Sequence, residues 1–195
     1  MQTASLFRYA FMIVGLFSFV IEGWIARHYH SFDPSLPYSR RVFDRYYFWL
    51  VFTAVLLSFL FANLFARMFH IGSIPLMYAV PMGVLFFVVG YGLRIYAIRH
   101  LKSAFSVVLR VEKDQKLVRS GPYKYIRHPS YTGSLLALIG FIIASGLPLA
   151  IVLVALSVLF LQLKRIYSEE AILTTNFPEY LQYREQTKML IPFVL

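Results

Sequence analysis

Apolar residues in this chain fall into four long blocks separated by short polar segments, not into the narrow periodic stripes of a soluble domain. Leu6 to Ala26, Tyr47 to Phe65 and Pro75 to Ile98 are each long enough for one membrane-spanning helix, since about 20 residues cross roughly 30 Å of hydrocarbon. The fourth block, Tyr131 to Leu163, would as one helix be roughly 50 Å long at about 1.5 Å per residue, too long for a single crossing. Ser145-Gly146-Leu147-Pro148 interrupts it, combining a helix-ending glycine with a proline suited to restarting a helix. The pattern thus predicts two shorter, tilted spans joined as a hairpin. It gives an all-α integral membrane protein of about five transmembrane helices.

The polar segments add local detail. Gly121-Pro122 predicts a turn, Pro129 the first turn of a helix, and Ser130 a contribution to its cap. Arg127 and His128 are therefore expected where that helix enters the bilayer. The longest polar stretch runs from Arg99 to Arg127, and within it Ser106 to Val111 has strand-like composition ahead of a turn at Glu112-Lys113-Asp114-Gln115. After the hairpin, Lys164 to Thr174 continues helically, and Asn176 and Pro178 start a short helix carrying Tyr180, Tyr183 and Arg184. Because a hairpin returns the chain to the face it left, Arg127-His128 and Arg165-Glu169 are expected to meet. No internal repeat or flexible linker divides the chain, so residues 1–195 read as one membrane domain.

Charge supplies an orientation. With five spans, one face holds Arg27, Arg40, Arg41 and Arg45, nine basic residues from Arg94 to Arg127, then Lys164, Arg165, Arg184 and Lys188, while the other holds only Arg8 and Arg67. Basic residues accumulate on the cytoplasmic side, which predicts an outside N-terminus and a cytoplasmic C-terminus. The net charge of +10 is divided among loops, so it matches anionic lipid headgroups and not nucleic acid. The first block is weakly basic at its start and lacks a clear small-residue cleavage site, and reads as a retained span.

The absence of cysteine excludes disulfides, thiolate metal sites and a cysteine nucleophile. His28-Tyr29-His30 has few carboxylates near it, and no metal site is expected. No phosphate-binding glycine loop, HExxH or GxSxG sequence occurs. Arg165 and Glu169, four residues apart, share a helix face and suit an ion pair worth about 0.2–0.5 kcal/mol; Glu170 has no equally obvious partner. Arg94, after Gly90-Tyr91-Gly92, either snorkels to the headgroups or points inward beside Arg165 to hold an anionic group. His128 suits a general base, a donor to a ligand, or a residue satisfied by its own helix terminus, and Glu22 suits the headgroup layer.

Leu117-Val118, Gly121-Pro122-Tyr123, Arg127-His128-Pro129-Ser130-Tyr131, Gly133, Glu169-Glu170, Tyr180 and Pro192 together resemble the isoprenylcysteine carboxyl methyltransferase family of membrane enzymes. The likeness runs from about Arg94 to the C-terminus; the first two spans, within residues 1–70, add almost nothing to it, which leaves residues 75–195 as the catalytic core. The resemblance implies S-adenosylmethionine as cofactor, enclosed between the juxtamembrane loop and the C-terminal helices. By the same resemblance Gln115, Lys116, Leu117, Val118 and Tyr123 line the nucleoside, while His128, Pro129, Ser130, Tyr131 and Glu169, with Glu170 beside it, hold the methionine part. Arg165, aided by Arg94, is then the group that orients a substrate carboxylate. The chain has Gln115 where the family often has histidine.

The expected reaction is methyl transfer to a membrane-embedded, lipid-like or prenylated substrate at a carboxylate. Amine methylation of a phospholipid headgroup is the alternative, and it needs a proton acceptor such as Glu170 or His128. A sterol-type reductase and a non-enzymatic lipid-binding protein are more distant readings.

Overall fold

A computed structural model describes residues 38–101 and 117–192, with Val20 alone outside them. The expected first span, Glu22, His28-Tyr29-His30, the strand-like run Ser106 to Val111, and Gln115 and Lys116 lie outside the described residues. Five α-helices are present among the described residues: α1 (Tyr38–Met68), α2 (Leu76–Leu101), α3 (Pro129–Ile143), α4 (Pro148–Asn176) and α5 (Tyr180–Gln186). A 3-10 turn, Gly121–Lys124, precedes α3. α2, α4 and the Trp49–Met68 part of α1 are long and apolar enough to cross a membrane, whereas α3 is a shorter apolar helix.

The hairpin is real but unequal. Its arms have 15 and 29 residues, instead of two comparable spans, because α4 does not stop at the end of the apolar block but runs on through Lys164 to Asn176. The break falls where the sequence places it. Gly146 adopts φ +73°, its carbonyl accepts from Ile74 N at 2.8 Å, and Pro148 opens α4. A Cβ on Gly146 would lie 2.8 Å from the Ile74 oxygen, so both backbone conformation and space demand glycine. α1 begins at Tyr38, ahead of the apolar block, and α2 continues past Arg94 to Leu101.

The four long helices pack in the order α2, α3, α4, α1, each antiparallel to its neighbour. The α2–α3 contact is the most extensive, and glycines create it. A Cβ at Gly83 would stand 2.6 Å from Gly140 O, and one at Gly133 would stand 2.6 Å from Gly90 O. Gly83 and Gly90 on α2, and Gly133 and Gly140 on α3, are each seven residues apart, so two turns of each helix meet backbone to backbone. Between helices in lipid, where hydrophobic driving force is weak, such close approach is a main source of association. Gly92 by contrast faces open space.

α1 packs on α4 through Val55, Ala62, Val154 and Val158, with Ser58 Oγ 3.5 Å from Ser157 Oγ. The outward faces stay apolar: Leu57, Leu60 and Leu64 on α1 and Met82, Leu85 and Val88 on α2 are exposed, as a hydrocarbon surrounding permits.

Candidate functional site

The two flanks of the hairpin do converge, and the contact is built from the backbone outward. Ile126 and Lys188 form a parallel bridge. Arg127 N and His128 N donate to the carbonyls of Lys188 and Met189 at 2.8 and 3.1 Å, and Thr132 Oγ1 donates to Leu190 O at 2.7 Å. The C-terminal strand-like segment is thereby strapped across the start of α3. Pro129 opens that helix with His128 at the N-cap. The expected capping role of Ser130 is not seen: no side chain caps this end, and the Ser130 hydroxyl serves Arg94 instead.

Side chains consolidate the strap. Arg127 Nε donates to Glu170 Oε1 at 2.7 Å, and its Nη1 donates to the carbonyls of Arg184 and Thr187. His128, almost fully buried, places Nε2 3.1 Å from the same Glu170 oxygen. An ionised carboxylate only accepts, so Nε2 carries the proton and donates. Glu170, for which the sequence offered no partner, thus has two. Its neighbour Glu169 remains half-buried, with Oε2 3.9 Å from His128 Nδ1. Adjacent glutamates on one helix point about 100° apart at 3.6 residues per turn, and only one of them is absorbed by Arg127.

Tyr131 and Arg165 meet one turn further into the bundle. Arg165 is 5% exposed, donates from Nε to Tyr131 Oη at 2.9 Å and stacks with Cζ 4.6 Å from the Tyr47 ring centroid. This combination fixes the guanidinium plane. Arg94 does not snorkel; its Nη1 donates to Ser134 Oγ at 2.6 Å and Ser130 Oγ at 3.1 Å, which ties α2 to α3 at the same end.

The outer wall comes from the 3-10 turn and α5. Gly121 has φ +60° and sits under the His100 ring, leaving no room for a Cβ. Tyr123 Oη donates to Ala97 O at 3.4 Å, and Tyr183 Oη donates to Tyr123 O at 2.6 Å. Leu117 packs on the buried cluster of Phe177, Tyr180 and Tyr183, and Val118 is half-buried beside it in sequence. Burial pushes the Tyr183 phenol up to about 12 and raises Tyr123 and Tyr180 further. The short helix starts at Tyr180, later than the sequence suggested, because Asn176 closes α4 and Glu179 is the N-cap.

The buried Tyr180 hydroxyl lies beside the Glu170 carboxylate, while one buried oxygen, the Gln162 side-chain carbonyl, lacks a hydrogen-bond partner among the described residues. Leaving such a group unpaired costs about 1–3 kcal/mol. Gln162 was not identified from sequence, nor were the roles of Tyr47, Thr132 and Lys188–Leu190, which depend on helix register and not on a motif. No group of three or more metal-ligating side chains occurs among the described residues.

An all-helical, multi-pass membrane protein with a polar, arginine- and glutamate-bearing cluster at one end of its hairpin is the class that fold and site define. Residues 83–175 match the family model described as the isoprenylcysteine carboxyl methyltransferase (ICMT) family. Protein-S-isoprenylcysteine O-methyltransferase of Tribolium castaneum is 35% identical over 116 residues, 58% of this chain and 41% of the relative. The Saccharomyces cerevisiae protein of the same name is 31% identical over 140 residues, 70% of this chain and 57% of the relative. A solved structure of the eukaryotic intramembrane Ras methyltransferase ICMT superposes with a TM-score of 0.60 at 27% identity, covering 82% of this chain and 55% of that one. The chain thus spans about half the length of the curated relatives it matches.

Proposed function

We propose that this protein is an S-adenosylmethionine-dependent methyltransferase that esterifies the carboxylate of a membrane-embedded, isoprenylcysteine-like lipid. The observation that carries the reading is the division of labour between Glu169 and Glu170. Glu170 is consumed by Arg127 and His128, which closes the strap, while Glu169 presents a half-exposed carboxylate at the same place.

The residues fit a cationic cofactor. Glu169 offers the negative charge, and Leu117 with the Phe177, Tyr180 and Tyr183 cluster offers an apolar wall. Pro129, Ser130 and Tyr131 then frame the methionine part with His128, and Val118 lines the nucleoside side, where the family resemblance also implies Gln115 and Lys116, which lie outside the described residues. When bound, S-adenosylmethionine would supply a sulfonium methyl group, whose in-line transfer to the acceptor's carboxylate oxygen would leave a neutral thioether and a neutral ester.

The chain's own residues need only orient and desolvate. A carboxylate is ionised near neutral pH and requires no general base, so alignment carries most of the barrier reduction. Arg165, stacked on Tyr47 and held by Tyr131, orients that carboxylate; Arg94 supports it from α2 through Ser130 and Ser134. The alternative amine acceptor would need a proton acceptor, and both candidates, His128 and Glu170, are engaged with each other. That pairing favours the carboxylate.

The described basic residues support a cytoplasmic location for the site and the C-terminus. Arg94, Arg99, Arg127, Lys164, Arg165 and Lys188 gather at the site end of the bundle, against Arg67 at the other. With a further span in residues 6–26 the N-terminus is outside, and residues 75–195 act as the catalytic core of one domain. The glycine interlock between α2 and α3 argues against lipid entry along that seam. The test is transfer of labelled methyl from S-adenosylmethionine to N-acetyl-S-farnesylcysteine by the purified protein in nanodiscs. Base-labile label in the lipid is expected; no transfer, or base-stable label, overturns the reading.

A further inference from the structure

Leu117 to Ser120 form neither helix nor strand, so no helical or sheet ladder fixes the run that carries Leu117 and Val118. Two neighbouring side-chain ties hold it instead, one to each side. Ser120 Oγ lies 2.9 Å from Nε2 of His100, a residue in the last turn of α2. The same imidazole covers Gly121, where a Cβ would come within 2.6–2.8 Å of three ring atoms, and its ring centroid lies 6.0 Å from that of Tyr96. On the other side Arg119 Nη2 donates to Glu179 O at 3.1 Å and lies 3.9 Å from Glu179 Oε1, while its Cζ stands 5.8 Å from the Tyr183 ring centroid. The run is thereby held between the end of α2 and the start of α5. Both ties face solvent, and contacts of that kind add little to global stability. Their effect falls elsewhere: a segment already in place when a ligand arrives spares that ligand the cost of ordering it.

We propose that His100 and Arg119 are positioning residues for the cofactor, holding Leu117 and Val118 in the binding arrangement from α2 and from α5. The inference rests on the function proposed above and deepens it: neither side chain needs to touch S-adenosylmethionine, and each acts through the segment between them. Loss of either tie loosens that segment in the free protein, so binding must order it. The change then appears in cofactor affinity, not in thermal stability or in use of the methyl acceptor.

The experiment measures S-adenosylmethionine binding by calorimetry in nanodiscs, and amide hydrogen exchange without cofactor, for wild type, His100→Ala, Arg119→Ala, the double variant and His100→Gln, whose side-chain amide can still reach Ser120. Each alanine variant is expected to bind the cofactor about twofold to fivefold more weakly, the scale of one exposed contact, and the double variant more weakly than either. The amides of residues 117–121 exchange faster in the alanine variants, while the unfolding temperature, and kcat and acceptor KM at saturating cofactor, stay at wild-type values. His100→Gln restores both affinity and protection. Unchanged affinity in both alanine variants, weaker affinity without faster exchange, or an equal fall in cofactor affinity and kcat overturns the assignment while leaving the methyltransferase reading intact. Failure of the wild type to bind S-adenosylmethionine overturns both.

Discussion

Arg127 Nε lies 2.7 Å from Glu170 Oε1, joining residues 43 apart in sequence across the whole length of the helical hairpin. Both side chains are 8% exposed. A pair so buried contributes little over an apolar substitute, but removing one partner strands the other charge. Glu170→Ala is therefore expected to destabilise the protein by about 3–5 kcal/mol. Thermal unfolding checks the loss, and faster hydrogen exchange at the Arg127 and His128 amides shows that the strap has released.

Glu169→Ala should behave differently, since its carboxylate takes no part in the Arg127 pair. Stability is expected to stay near wild type, while S-adenosylmethionine binding weakens at least tenfold, the scale of a lost charge-assisted contact. Calorimetric titration in nanodiscs reads this directly. Arg165→Lys, which loses the planar fork and the stacking on Tyr47, should leave cofactor affinity unchanged and lower kcat/KM for the lipid acceptor.

The α2–α3 seam gives a matched pair of glycine substitutions. Gly90→Ala would drive a methyl group into the Gly133–Ala137 backbone and is expected to cost about 1–3 kcal/mol. Gly92→Ala, two residues on and facing open space, is expected to be neutral or slightly stabilising, because alanine is the better helix former. Unfolding temperatures of the two variants in one detergent check the contrast.

Two pH profiles follow. If the nucleophile is a carboxylate, single-turnover methylation should be flat above about pH 5, whereas an amine acceptor would gain rate as pH rises. At the alkaline end, Tyr183 has its phenol raised from 10.0 to about 12 by burial. Its stabilising neutral form is fully present below pH 10, and the contribution is lost as pH rises toward 12. Wild-type protein should accordingly lose stability relative to Tyr183→Phe between those values, measured by chemical denaturation.

Much of this architecture was legible in the chain because punctuation is local. Gly146 and Pro148 mark the hairpin tip wherever the helices pack, and a hairpin must bring its flanks to one end. The seven-residue spacing of Gly83 and Gly90 and of Gly133 and Gly140 formed no part of the sequence reading, and Gly90-Tyr91-Gly92 alone did not tell which glycine faced a helix. What the sequence withheld depends on register and rotation. Glu169 and Glu170 are chemically identical, and only the approach of Arg127 decides which one is buried. Tyr47 lies under Arg165 because α1 runs antiparallel along α4, a pairing that no motif encodes. Arg94 turns toward Ser130 and Ser134 because α2 runs antiparallel along α3, and the Ser130 hydroxyl has no capping role.

The most direct measurement is photo-crosslinking of radiolabelled S-adenosylmethionine to the protein in nanodiscs, with the labelled peptides mapped by mass spectrometry. Label is expected both within residues 117–131, ahead of the hairpin, and within residues 165–187, behind it. Label on one side alone, at the opposite end of the bundle, or nowhere would contradict a cofactor site shared by the two flanks.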